Sequence, residues 1–210
     1  GAGEPDLPRG RIERSRLPTQ RPAWRIIWEQ ALQPWALRRI RPDLAHGLAF
    51  ALPLAYGGPA VVTVYDLSFL AMPELFPPAQ RLYLRAITGL SCRRARRVIA
   101  ISESTRADVA RRLGVDPARI DVACPGVHPR FQPLPPAEVE AFRGRAGLPA
   151  RFILFLGTLE PRKNLAVVLE AYRMLRETRP AAPPLAVAGG RGWGGVTVAA
   201  LAGRLGMAQV

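Results

Sequence analysis

Two hydrophobic rhythms alternate along this chain. "AVVTVY" (60–65) and "RVIAIS" (97–102) are continuous apolar, β-branched runs of the kind found in strands buried on both faces. "RIDVAC" (119–124), "FILFLG" (152–157) and "PLAVAG" (184–189) read as further strands, "FILFLG" as a buried one, and "DLAH" (43–46) as a short one. Between them the apolar residues recur at helical spacing. "AWRIIWEQALQPWALRRI" (23–40) predicts a helix kinked at Pro34, and 79–95 one with Leu82, Leu84, Ile87 and Leu90 to one side. Ser102 is placed to N-cap "ESTRADVARRLG" and Gly114 to end it. "AEVEAFRGRAG" and "GVTVAALAGRLG" read as helices, and "MAQV" as the start of a strand. Leu165, Val168, Leu169, Tyr172 and Leu175 line one face of a helix whose N-cap is Asn164.

Strands alternating with helices predict an α/β protein with parallel sheets. Residues 1–22 are Pro- and Arg-rich and read as loop or disordered, and 23–133 as a first domain. Residues 134–150 read as an interdomain connection and 151–210 as the start of a second domain. Two strands in so short a segment are marginal alone, so the second domain reads as incomplete, cut at its C-terminus.

Composition narrows the chemistry. The 210 residues are 49% hydrophobic, enough for a core, and carry a formal charge of +14. Such a charge suits nucleic acid, an anionic membrane surface or phosphorylated substrates. The aromatic residues are scattered rather than grouped as a stacking platform, which argues against nucleic acid. Two cysteines, Cys92 and Cys124, make no disulfide framework, and a reducing compartment is the default. No apolar run reaches the ~18 residues of a membrane span.

Lysine occurs once. Lys163 stands in "FLGTLEPRKNL" (155–165), where a strand runs through Gly157 into a loop and a helix. Ligands of open α/β sheets bind beyond the carboxyl ends of the strands, and a helix N-terminus there attracts anions. Arg162 and Lys163 just before that helix point to phosphate, against the plainer reading of a turn with solvated charges. "GRGWGG" (190–195) fits the dinucleotide pattern G-x-G-x-x-G, yet it follows the second strand of its unit, so a glycine-rich turn is the better reading. "CRRARR" (92–97) is the basic end of a helix. His46 sits at a strand end and His128 in a turn, neither with a visible partner. H-E-x-x-H, G-x-S-x-G, Walker and D-x-D patterns are absent, and no Cys/His cluster predicts a metal site.

"TVYDLSFLAMPELFP", "RVIAISESTRADVARRLG", "IDVACPGVHPRF" and "FILFLGTLEPRKNLAVVLEAY" follow one another in this order. Together they resemble a family 4 glycosyltransferase of the GT-B type, over about residues 42–206, with "GTLEPRKN" the most specific piece. The resemblance implies two Rossmann-like domains, an N-terminal one for the acceptor and a C-terminal one for the donor. Both are incomplete in this chain because the Gly-rich first strand-loop of the one and the later part of the other are missing, so that the chain reads as an internal fragment. It implies transfer of a sugar, with retention and without a metal, from a GDP- or UDP-sugar to a polysaccharide or lipid-linked glycan. The nucleotide-sugar is then a substrate, and no cofactor is implied. The family lysine falls on Lys163. Thr158 follows Gly157 where many members have Arg, and Arg162 is the candidate for that role. Tyr65 and Asp66 occupy the position of a His-Asp pair near the reacting sugar, so they are the catalytic candidates. Ser102 and Glu103 match a loop facing the cleft, where His46 is also expected. The paired glutamates that hold the donor sugar would lie beyond residue 210, so this length of chain alone is expected to be inactive. A cytoplasmic enzyme touching the inner face of the membrane is expected. The alternatives are a basic module for nucleic acid or membrane, resting on charge, and an NAD(P) oxidoreductase, resting on "GRGWGG".

Overall fold

The structure is a computed structural model and describes residues 17–192, 194–195 and 197–206. Most of the expected N-terminal loop, the Trp193 position of "GRGWGG" and the "MAQV" strand candidate lie outside the described residues. Contacts divide the chain into two compact units, one ending at Gly126 and one beginning at Val127.

The first unit opens with a helical segment of three parts, α1 (Pro22–Ile27), a π-helical stretch (Trp28–Leu32) and α2 (Gln33–Ile40). Pro34 has no N–H to donate, and the chain absorbs this as a π-bulge instead of a simple kink. The Gln33 N–H reaches back five residues to the Trp28 carbonyl.

A four-stranded sheet follows, made of β1 (Ala45–Gly47), β2 (Ala60–Val64), β3 (Arg97–Ala100) and β4 (Ile120–Val122) in that spatial order. All three pairings are parallel. A short α3 (Ser68–Ala71) and the long α4 (Pro78–Arg94) join β2 to β3, and α5 (Glu103–Leu113) joins β3 to β4. Val62, Val64, Val98, Ala100 and Val109 are wholly enclosed in the core. Each valine contributes on the order of 1.5–3 kcal/mol by leaving water. Ser102 caps α5 by accepting the Thr105 N–H at 3.1 Å, and Gly114 ends the helix at φ +66°.

Helix α4 matches its expected face at Leu84, which packs against the core, and at Ile87, and departs from it at Leu82 and Leu90. It buries Ile87, Thr88, Ser91 and Cys92, whereas Leu82 and Leu90 face solvent. Positions 87, 88, 91 and 92 share one face at i, i+3/i+4 spacing, while 82 and 90 share another. Thr88 and Ser91 look polar in the sequence, but with the small apolar Cys92 they are compact enough to sit against the sheet.

The second unit holds α6 (Pro136–Ala146), β5 (Ile153–Leu156), α7 (Leu165–Thr178), β6 (Leu185–Ala188) and α8 (Val198–Arg204). Strands β5 and β6 pair in parallel. Leu165, Leu169 and Tyr172 of α7 are buried with Leu185 and Leu201, and Phe155 packs against them. Leu154 and Leu156 of β5 are exposed at 54% and 76%, so this strand is covered on one face only, not buried. The side chains of a strand alternate between faces, and α7 and α8 supply a cover for the Phe155 face. "FILFLG" and "RVIAIS" belong to different sheets.

Candidate functional site

In the first unit, the candidates gather where β1, β2 and β3 end. His46 lies on β1, and its Nε2 is 2.8 Å from the Thr63 hydroxyl of β2. Tyr65 follows β2 and is 43% exposed. Its backbone carbonyl accepts the Thr105 hydroxyl at 3.0 Å, and that hydroxyl is also 3.1 Å from Ser102 Oγ. Thr105 thus ties the end of β2 to the first turn of α5. Glu103, in that turn, is exposed beside Arg106 at 3.5 Å.

Asp66 turns to its own chain. One carboxylate oxygen accepts both the Ser68 N–H at 2.9 Å and the Ser68 hydroxyl at 2.6 Å, so it caps the start of α3. The sequence left Phe50, Thr63 and Thr105 out of this group. Thr63 and Thr105 carried a signal, as a hydroxyl inside an apolar strand and as the residue three after an N-cap. Phe50 carried none. It holds φ +62°, uncommon for an aromatic residue. Its N–H donates to the Thr63 carbonyl at 2.9 Å, and its ring centroid stands 6.0 Å from that of Tyr65 and 6.3 Å from that of Phe69.

Beside His46 a cavity of about 490 Å³ is lined by Trp28, Glu29, Gln33 and Leu48 among others. Burial pushes the Glu29 carboxyl above its usual range, with Arg25 at 3.8 Å pulling the other way. His128 lies apart in an exposed turn, where its Nδ1 accepts the Arg130 N–H at 3.2 Å.

In the second unit, the loop after β5 is zipped to the loop after β6. Gly157 N–H donates to the Ala188 carbonyl and Leu159 N–H to the Gly190 carbonyl, both at 3.0 Å, and Gly192 N–H returns to Leu159 at 3.2 Å. A side chain on Gly192 would meet the Leu159 carbonyl oxygen at 2.6 Å. Gly192 and Gly194, whose built Cβ would stand 2.7 Å from Pro161 Cγ, therefore serve the close approach of two loops, as a glycine-rich turn, whereas Gly190 has open space.

The short 3₁₀ turn Pro161–Lys163 leads to Asn164, which adopts the left-handed conformation at φ +50°. Asn164 stands at the N-cap of α7 as expected, but its side chain makes no capping bond. Glu160 is buried, and it accepts Arg162 Nη2 at 2.8 Å. Lys163 is exposed, and its ammonium has no ion-pair or hydrogen-bond partner among the described residues. Thr158 is exposed next to the half-buried Gly157. The arrangement offers an unpaired ammonium, a guanidinium fixed by a buried carboxylate, and an uncapped N-terminus of a helix 14 residues long.

Residues 2–131 match the model of Glycosyltransferase Family 4. The chain belongs to this family. The chain is 30% identical over 172 residues to the O-antigen chain mannosyltransferase B of Escherichia coli, an alignment covering 81% of this chain and 45% of that protein. It thus spans a little under half the length of that relative. A glycosyltransferase from Rickettsia africae superposes with a TM-score of 0.46 and 15% identity, over 85% of this chain and 46% of the other. The two parallel α/β units of the chain agree with the fold class its sequence predicts.

Proposed function

We propose that the whole protein moves a hexose, mannose by analogy with its named relative, from a GDP- or UDP-sugar to a glycan or lipid-linked glycan. The observation that carries this reading is Lys163, an exposed ammonium without a partner among the described residues, between β5 and the uncapped start of α7. In the transfer the bond between the anomeric carbon and an oxygen of the donor phosphate breaks, an acceptor hydroxyl oxygen bonds that carbon, and the hydroxyl proton passes to the departing phosphate or to water. The nucleoside diphosphate leaves with increased negative charge. Lys163 meets that charge as a compact ammonium on a flexible stem. Arg162, held by Glu160, gives a second cation, and Gly157 and Thr158 form the floor of the loop. Retention of configuration and independence of metal are part of the same reading.

Tyr65 is proposed to donate a hydrogen bond at the reacting sugar, and Asp66 to position Tyr65 through its bonds to Ser68. His46, Ser102 and Glu103 are assigned to the acceptor side, with Thr63 and Thr105 fixing the first two. We place the enzyme in the cytoplasm, with a peripheral contact on anionic membrane. No helix of the described residues is long and apolar enough to cross one.

Calorimetric titration of the 210-residue chain with GDP and with UDP tests the donor site. One of the two is expected to bind, and Lys163→Ala to weaken it about 10- to 100-fold, the range of a lost charge-assisted contact. Equal affinity in the variant would overturn the assignment.

A further inference from the structure

The arginine run at the end of α4 suggests membrane contact by sequence, but the structure takes half of it away. Arg94 donates through Nη2 to the carbonyls of Tyr56 and Gly58 at 2.6 and 2.7 Å. Arg97 is paired with Asp121 through Nε at 2.7 Å and bonds the Ala118 carbonyl at 2.9 Å. These two guanidinia hold the first unit together and are spent.

The solvent face of α4 carries a different pattern. Leu82 and Arg85 are repeated eight residues later as Leu90 and Arg93. Residues three and four apart are neighbours on a helix, so Leu82 adjoins Arg85 and Leu90 adjoins Arg93, and the two pairs join through the small Ala86 and Gly89 into one side of the helix about 16 Å long. Leu82 is 69% and Leu90 47% exposed. Arg85 and Arg93 are exposed and have no side-chain partner among the described residues. Helix α4 contains no carboxylate at all. Arg112 of α5 borders this side, and together these side chains line a shallow groove of about 400 Å³.

We propose that this face of α4, with the edge of α5, docks on an anionic lipid bilayer. The inference deepens the reading of a peripheral membrane contact and names the surface that makes it. Leucines exposed between arginines suit an interface that is apolar below and anionic above, where the arginine stems lie along the acyl boundary and the guanidinia reach the phosphates. A free phosphate would leave Leu82 and Leu90 unused. A second copy of the same face would set like charges against each other.

Vesicle flotation with the 210-residue chain tests this. The chain is expected to bind vesicles of equal phosphatidylglycerol and phosphatidylcholine, to bind phosphatidylcholine alone weakly, and to be released by salt. Arg85→Ala with Arg93→Ala should lower the partition about thirtyfold, at about fivefold per arginine. Leu82→Ser with Leu90→Ser should lower it severalfold. Arg151→Ala with Arg179→Ala, exposed cations of the second unit, should leave it within about twofold. All six positions are exposed, and circular dichroism checks that each variant folds. Failure of the parent chain to bind anionic vesicles overturns the membrane reading and the docking face together. Binding that the Arg151/Arg179 pair weakens as much as the Arg85/Arg93 pair, or that the leucine pair leaves unchanged, overturns the docking face alone. Tighter binding to random duplex DNA at the same salt overturns the choice of lipid.

Discussion

Gly189 lies so close to Gly157 that a Cβ built on it would stand 1.8 Å from the Gly157 carbonyl oxygen and 2.7 Å from its carbonyl carbon. The contact is backbone on backbone, so no side chain can rotate away. It fixes the start of the Lys163 loop to the end of β6.

Gly189→Ala is expected to destabilise the second unit by about 1–3 kcal/mol, as overpacking does, and to weaken nucleotide binding by displacing the loop. Gly190 has nothing within 4 Å of its built Cβ, so Gly190→Ala should be close to neutral. Urea unfolding of the two variants compares neighbouring glycines of opposite environment.

Lys163→Ala in the full-length enzyme should lower turnover about 100-fold or more, the scale of losing one electrostatic stabiliser of a leaving group. Lys163→Arg should restore only part, because a planar guanidinium does not occupy the ammonium's position. Unchanged turnover and donor KM in the Ala variant would make Lys163 a bystander. The 210-residue chain itself is expected to show no transfer.

Arg162→Ala should behave differently from Lys163→Ala. It leaves the buried Glu160 carboxylate without the guanidinium that bonds it at 2.8 Å. A loss of stability of about 1–3 kcal/mol is expected alongside weaker donor binding, whereas Lys163→Ala should leave Tm unchanged. Thermal unfolding with and without nucleotide separates the two effects.

Cys92 is fully buried, and desolvation pushes its thiol up to about 12. Cys124 is exposed. At pH 8 one thiol per folded chain should react quickly with Ellman's reagent, and the second only after denaturant is added. Two fast thiols would place Cys92 outside the core.

Glu29 lies within the π-helical stretch, and burial raises the pKa of its carboxyl. The folded state then holds the proton more tightly than the unfolded one. Stability contributed by the protonated form is present below the ordinary carboxylate range and falls as pH rises from there through the raised value. Glu29→Gln should flatten that fall, so its urea midpoint relative to the parent chain should improve between acid and neutral pH. A constant difference across that range would contradict the shift.

Much of the frame was legible in the residues alone. The alternation of strand-like and helical runs specifies parallel α/β units because each period commits side chains to definite faces. Ser102, Gly114 and the α7 stripe were readable for the same reason: their causes lie within one or two helical turns. The loop around Lys163 could be recognised because a strand, a glycine and a helix start are local signals.

Tertiary structure decided which of the recognised groups are free. Arg94 bonds the carbonyl of Tyr56, 38 residues away, and Arg97 bonds Asp121, 24 residues away. No local pattern separates these arginines from Arg85 and Arg93. The buried face of α4 was chosen by the small size of Thr88, Ser91 and Cys92 against the sheet, which a hydrophobicity pattern ranks below Leu82 and Leu90. The left-handed Phe50 and the Gly189–Gly157 approach depend on segments far apart in sequence. Local periodicity determined the elements. Long-range contacts, which carry no period, determined which charges hold the fold and which stay without a partner among the described residues.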